Sequence, residues 1–570
     1  MRRYSSLAFD LGGSGAKLML GEYDGRGIRL SEVARFPNRP APIAGGLYWD
    51  IVGICDRFLL GLRKAAAAHP IRSLGIDSFS NDFCLVDAAG ALLSPARCYR
   101  DGRGARHAAS AYARVPPRRL YELTGNQNAP FNTLMQLAAM QADGQGWLLE
   151  RADRLLFIPD LLLYILTGEA VAEYTIASVS QLYSFADGAW SRELLGAFGL
   201  KASLFCGISY PGAEVGRISR SKLALGGNGL AGGSGGAGGA AAPGSGGAGD
   251  IIAVSVCEHD TASAFLASPA AADRGRVAII SSGTWSIVGC ELPQPLICDA
   301  GFRHNLANEG GYPGHHRFSR NAMGSWIIQE IRSDCELRGA PITFAQIEEE
   351  ASRAGAFEFL IDADDSAFYA PGNMQERVRE WCSQRYGRAP SGIGVIARCV
   401  YESTALGYRR AIGLLEAATG RALPVINIVG GGARDRLLCQ FTASACNRPV
   451  MAGPFEATAL GNLAVQLIAA GELSSVEQAR EMIGGSFEPN GTSRAIPKPG
   501  TSSIGRLRIF WGMAPHERGG AGEARRAAAP FRGGLRPARP RSCGARFFSL
   551  LARRQATTAP PIATGRRPFP

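Results

Sequence analysis

His259-Asp260-Thr261 follows a β-branched run that starts at Val254 and precedes the small residues Ala262-Ser263-Ala264. A carboxylate fixed at such a strand end, with an imidazole before it and a hydroxyl after it, suits a general base that takes a proton from a substrate alcohol. The triplet alone leaves a second reading open, in which Asp260 does no more than cap the helix that the small residues begin. Gly12-Gly13-Ser14-Gly15 is the second chemistry-bearing stretch. It follows the apolar strand Leu7 to Leu11 and leads into Lys17 to Tyr23, a turn at Asp24 to Gly27, and a third strand from Ile28 to Val33. Dinucleotide and Walker loops need a helix directly after the glycines, so both are excluded. The backbone amides of a glycine-rich hairpin can still form an anion-binding nest. The theme returns at Ala278 to Gly289, where Ser282-Gly283-Thr284 sits between two apolar strands.

The elements that must position these groups are read from periodicity and punctuation. Ile71 to Asp77 is a buried strand that breaks at Ser78-Phe79-Ser80-Asn81-Asp82 before Phe83 to Val86 resumes, leaving a polar rim that could face a sugar. Tyr99-Arg100-Asp101 and Asn128 to Thr133 are further polar clusters in apolar context, and Leu134 to Ala142 and Leu161 to Leu166 read as helices. Asn321 to Arg332 is predicted as one helix, with Asn321 and Gln329 about 12 Å apart along its axis, able to touch two ligands. Val425 to Val429 is a strand running into Gly430-Gly431-Gly432 and a helix from Asp435, a backbone-exposing turn suited to a flat nucleotide. Two halves that each open on a phosphate-type hairpin predict a duplicated, actin-like ATPase fold.

The chain has 570 residues. Single cores stop growing at about 250 to 300 residues, so two lobes with a cleft are expected. Thr501 to Pro570 holds 14 arginines, no lysine and 2 glutamates, which accounts for the entire formal charge of +12. The basic balance therefore gives no ground for a nucleic-acid partner. Residues 226–249 contain 13 glycines among 24, a coil composition expected in a surface loop rather than a hinge. Thirteen cysteines without a CxxC pair or zinc spacing read as small core residues in a reducing compartment. Asp10 interrupts any signal-peptide core, and no apolar run reaches about 18 residues. A cytoplasmic protein without a membrane partner is expected.

From about Leu7 to Ile483 the chain resembles the FGGY carbohydrate kinases, and within them the rhamnulokinase branch. The motifs that carry the resemblance are Asp10-Leu11-Gly12, Tyr99-Arg100-Asp101, Phe131-Asn132-Thr133-Leu134, Glu173-Tyr174-Thr175, His259 to Ala264, Ser281 to Ser286, Asn308-Glu309-Gly310-Gly311 and Val429 to Gly432. The resemblance implies an α/β protein of two RNase-H-like domains with a ligand cleft between them. It places one domain at 1–250 with 226–249 as an insertion, and a second, nucleotide-holding domain at 251–497. The Arg/Pro/Ala-rich stretch 498–570 is read as a disordered tail. Asp260 then matches the catalytic base, and Ser80, Asp82, His259, Thr261 and Asn321 match substrate contacts. Gly13, Ser14, Gly15, Ala16, Lys17, Thr284, Gln329 and Gly432 match ATP-binding positions, and Asp10 the metal-associated carboxylate. The implied partners are ATP, Mg²⁺ and a small ketose, L-rhamnulose first and L-fuculose or another ketose second. A non-catalytic sugar sensor of the same fold is the rival reading. Two departures stand out. Gly13-Ser14-Gly15-Ala16-Lys17 replaces the branch's Ala-Ser-Ser-Gly-Arg, and Phe79-Ser80-Asn81-Asp82 replaces its Trp-Gly-Val-Asp. Lysine keeps the charge but loses the planar fork. Ser80 adds bulk and a hydroxyl at the sugar rim.

Overall fold

The computed structural model describes residues 3–224, 250–269 and 274–487, so the 226–249 insertion and the 498–570 tail lie outside the described residues. Tyr4–Leu11 is buried along almost its whole length, as a strand covered on both faces must be. It pairs antiparallel with Gly15–Tyr23, which pairs antiparallel with Ile28–Pro37, and it pairs parallel with Ser73–Ser78. Ile251–Val254 adds beyond Ser73–Ser78, and Glu214–Ile218 closes that edge. A second six-stranded sheet repeats the plan with Val277–Ser282 at its centre. Trp285–Leu292 and His316–Met323 continue antiparallel on one side, and Val425–Val429 and Val450–Ala452 lie parallel on the other. Leaving aside the edge strands Glu214–Ile218 in the first sheet and Ala307–Glu309 in the second, both sheets share one five-strand plan, a central strand with two antiparallel strands on one side and two parallel strands on the other, the duplication that the paired hairpins predict.

Four cores hold the described residues together, one of them packing Phe83, Leu134 and Phe157 and the other three built on the two six-stranded sheets. One face of the first sheet packs Phe9, Phe36, Ile54 and Phe58 under the helix Ile51–Ala68, with Phe9 and Phe58 stacked at 4.4 Å. One face of the second sheet packs Ile280, Phe318 and Ile428 against the 27-residue helix Ile393–Thr419. The core shared by both sheets draws Ala8 and Met19 of the first and Ile279 and Val429 of the second around the helices Asp260–Leu266 and Ala457–Ala469. These helices approach so closely that a Cβ at Gly461 would lie 1.9 Å from the Ser263 carbonyl oxygen. Asn462 donates to Asp77 at 2.6 Å, and Gln466 donates to the Leu7 carbonyl at 2.8 Å and accepts from Ser73 at 2.7 Å. The last helices therefore belong as much to the first sheet as to the second.

Three sequence expectations need correction. Asn321 lies on the strand His316–Met323, and the helix begins at Trp326, because Gly324-Ser325 turns the chain between them. Ile251–Val254, placed by sequence at the head of the second domain, hydrogen-bonds into the first sheet. That strand also stops at Val254, five residues before His259, instead of running up to the triplet. No helix among the described residues is long and apolar enough to cross a membrane.

Candidate active site

Asp260 is the first residue of the helix Asp260–Leu266, and His259 occupies the capping position without a side-chain cap bond. The Asp260 carboxylate oxygen Oδ1 accepts from the Thr261 amide at 2.6 Å and the Thr261 hydroxyl at 3.1 Å. Among the described residues its other oxygen has no hydrogen-bond partner, and the side chain stays 30% exposed. Burial pushes its carboxyl up to about 6, against the opposing pull of Thr261 and Arg317. The segment before it is pinned on two sides. The Ser78 amide donates to the Glu258 carbonyl at 2.8 Å, and the His259 amide donates to the Thr175 hydroxyl at 3.0 Å, which itself donates to Glu173 at 2.6 Å. Glu258 and Asp160 stand behind this segment as neighbouring carboxyls, and burial, then a nearby carboxylate charge, that of Asp160 for Glu258 and that of Glu173 for Asp160, pushes both well up.

His259 is 5% exposed, and its Nδ1 lies 3.0 Å from the Arg317 guanidinium. A guanidinium only donates, so Nδ1 is the acceptor and Nε2 carries the hydrogen, 3.6 Å from Asp260 Oδ1. Burial and the Arg317 charge hold the imidazole well below its usual range, hence neutral. Arg317 is itself fixed by the Glu309 carboxylate at 2.9 Å and the Gly310 carbonyl at 2.9 Å.

Ser80, Asn81, Asn132, His259, Glu309 and Asn321 line a cleft on which polar groups converge from both sheets. Four of the five predicted substrate contacts lie in or beside it, since Thr261 hydrogen-bonds Asp260 there. Asp82 does not line it. Its carboxylate accepts from the Trp49 indole at 2.6 Å, the Tyr99 amide at 2.8 Å and Gln136 at 2.9 Å, so its lone pairs are spent inside the first core. Asn126 and Gln127 line the cleft and escaped the sequence reading, which had no local pattern to find them.

At the opposite end Asp10 and Asp77 are register partners on adjacent parallel strands. Burial, then the nearby Asp260 charge, raise the Asp10 carboxyl to about 7. Burial, then Asp10, raise Asp77, whose Oδ1 is buried without a hydrogen-bond partner. No three His, Cys, Asp or Glu side chains among the described residues converge as a complete metal cage. Lys17 pairs with Glu456 at 2.7 Å, whose other oxygen accepts from Arg434 at 3.1 Å. In the second hairpin the Thr284 hydroxyl donates to Gln329 at 3.3 Å. Gly432 lies against Ser282, where a Cβ would come within 2.1 Å of the serine hydroxyl oxygen.

Two sheets built on one five-strand plan, each headed by a glycine hairpin, with buried carboxylates and a polar cleft between them, make a two-lobed phosphotransferase of the actin-like ATPase class. The sequence matches the FGGY family of carbohydrate kinases in both halves, its N-terminal domain over residues 5–235 and its C-terminal domain over residues 278–470. Relatives named Rhamnulokinase from Bacteroides thetaiotaomicron and Bacillus subtilis are 35% and 34% identical, covering 86% and 84% of this chain and 94% and 93% of their own. The fold is similar to a gluconate kinase from Lactobacillus acidophilus, at TM-score 0.66 and 15% identity over 84% of this chain and 92% of that one. It is also similar to Plasmodium falciparum glycerol kinase with ADP, at TM-score 0.65, 15% identity and the same coverage. The chain belongs to the FGGY family of carbohydrate kinases and is an ATP-dependent sugar kinase.

Proposed function

We propose that the chain phosphorylates a ketose, L-rhamnulose, to L-rhamnulose 1-phosphate, with Asp260 as the base. The observation that carries this is a partly exposed carboxylate beside the polar cleft, with one oxygen tied down and the other without a hydrogen-bond donor among the described residues. The relatives' names supply the sugar. The sugar hydroxyl lies between Asp260, which takes its proton, and the Nε2–H of His259, which orients the oxygen. Asn321, Ser80 and Glu309 offer further hydrogen-bonding groups to the remaining hydroxyls. The amides of Gly13, Ser14, Gly15 and Ala16 and the Thr284 turn take the phosphates, and Gln329 and Gly432 border the nucleotide. The retained base speaks against a non-catalytic sensor, which needs none.

Asp10 is the residue that would hold Mg²⁺. Its raised carboxyl and the unpartnered Asp77 oxygen beside it are acidic groups that a cation would stabilise, and Mg²⁺ needs only one or two carboxylates beside phosphates and waters. When bound, that ion neutralises charge on the phosphates. Mixing the protein with ATP, Mg²⁺ and a panel of ketoses tests the reading; no phosphorylated ketose would end it.

One observation favours a second sugar: Ser80 lines the cleft where the resembled branch has glycine. A hydroxymethyl group there clashes with or hydrogen-bonds a ring substituent, and such contacts change kcat/KM by roughly one to two decades. Ser80→Gly is therefore expected to alter the ratio of kcat/KM for L-rhamnulose and L-fuculose without changing the KM for ATP. An unchanged sugar ratio with an altered ATP KM would remove Ser80 from the sugar rim.

A further inference from the structure

Tyr99-Arg100-Asp101 has no part in the assignments above, yet it lies across the phosphate end of the cleft. A Cβ placed on Gly13, at the tip of the first hairpin, would sit 3.0 Å from the Tyr99 hydroxyl and 3.6 Å from Arg100 Nη2. The Arg100 guanidinium also lies 5.7 Å from the Trp326 ring, and Trp326 belongs to the second hairpin's surroundings: its amide donates to the Thr284 carbonyl at 3.2 Å. One side chain thus spans from one glycine hairpin to the edge of the other.

Its orientation is built in. Arg100 Nε donates to the Tyr99 hydroxyl at 3.2 Å, and its guanidinium lies 5.3 Å from the Tyr99 ring. Tyr99 packs beside Phe79 and Trp49 at 6.0 and 6.3 Å, and its amide is held by Asp82. The neighbouring cations are already neutralised, Lys17 by Glu456 at 2.7 Å and Arg97 by Asp101 at 2.8 Å. Arg100 is exposed and makes no ion pair among the described residues. A guanidinium resting on two rings at a surface stabilises the fold little, so folding does not explain its placement.

We infer that Arg100 is a further catalytic residue, the cation that meets the γ-phosphate during transfer. The inference rests on reading the two hairpins as the phosphate cradle. In the step, the sugar oxygen forms a bond to the γ-phosphorus as the bond from that phosphorus to the ADP oxygen breaks. The hydroxyl proton passes to Asp260, and the bond electrons leave with ADP. Charge spreads over the equatorial oxygens of the transferring group, where a planar, permanently charged fork is most effective. Asp82 then has a defined task, which is to anchor the backbone that aims this arginine.

The test uses the full chain, ATP, Mg²⁺ and the ketose it phosphorylates fastest. Arg100→Gln is expected to lower kcat by about 10²- to 10³-fold while the sugar KM changes by less than about threefold. Arg100→Lys should recover part of the loss, and added guanidinium should raise the turnover of Arg100→Ala. A kcat for Arg100→Gln within threefold of the parent overturns the inference. ADP affinity of Gly13→Val, measured by calorimetry, separates the two readings. If that variant binds ADP normally, the hairpin is no cradle and both readings fall. If it loses ADP while Arg100→Gln keeps its kcat, only the role of Arg100 falls.

Discussion

Asp260→Asn is expected to bind ATP normally and to lose at least about two orders of magnitude in kcat, the range that a positioned general base contributes. The substitution is nearly isosteric, and the amide oxygen can still accept from Thr261 at Oδ1's position, so the helix start survives. What disappears is the ability to accept a proton. The parent enzyme should show the same dependence as a pH profile. Because burial raises the Asp260 carboxyl to about 6, protonation removes the base as pH falls through that value. The kcat/KM should decline about tenfold per pH unit below it and level off above. The residual activity of Asp260→Asn should lack that acidic limb. Near-parental turnover in the variant, or a limb that persists in it, would take Asp260 out of the mechanism.

Arg480→Met is expected to cost about 3–5 kcal/mol of stability, the penalty for leaving a buried charge without its partner. Arg480 and Glu291 are each 5% exposed, and one guanidinium nitrogen meets both carboxylate oxygens at 2.8 Å. Arg480 also donates to the Phe265 and Leu266 carbonyls at 3.2 and 3.0 Å, closing the end of the helix that Asp260 begins. Burial alone would raise the Glu291 carboxyl, but Arg480 and His315 hold it down to about 2. A carboxyl depressed on folding stabilises the fold above its unfolded value near 4.5, and that contribution fades as pH falls from there toward 2. Urea unfolding of the parent, Arg480→Met and the double variant with Glu291→Gln checks this. The double variant should recover part of the loss, because the orphaned charge is gone. A loss below about 1 kcal/mol in Arg480→Met would show that the pair does not hold the two elements together.

What was legible in the sequence was what the chain keeps local. Gly12 to Gly15 and Ser282-Gly283-Thr284 announce hairpins because their flanking strands are adjacent in sequence, and both formed as read. The His259-Asp260-Thr261 triplet carries its own geometry, since the Thr261 bonds to Asp260 span one residue. Contacts between distant segments left no such trace. Arg317 reaches His259 from 58 residues away, and Glu456 takes Lys17 from 439 away. The resemblance matches Lys17 to an ATP-binding position, and its pairing with Glu456 is one that only folding brings about. Asp82, by contrast, misled. Polar residues between apolar runs look like a rim, but Trp49, Tyr99 and Gln136 converge on this carboxylate inside the core. Asn321 reads as helical because its neighbours continue into a helix, although the chain turns at Gly324-Ser325 and that helix starts at Trp326.

The return of the final helices to the first sheet has a consequence for how a ribosome must make this protein. Asp77 waits for Asn462, 385 residues later, and the Leu7 carbonyl waits for Gln466, 459 residues later. At about 5–20 residues per second, the gap from Asp77 to Asn462 lasts about 20 to 80 seconds. Throughout that interval the N-terminal sheet lacks the helix Ala457–Ala469 that completes the cover of its apolar face, with Ala8 and Met19 on it. Nascent chains stalled before residue 457 should remain open to protease at this sheet and close only once the helix Ala457–Ala469 has emerged. A chain released early is thus not a shorter kinase but an aggregation hazard, and the first half matures on the schedule of the last.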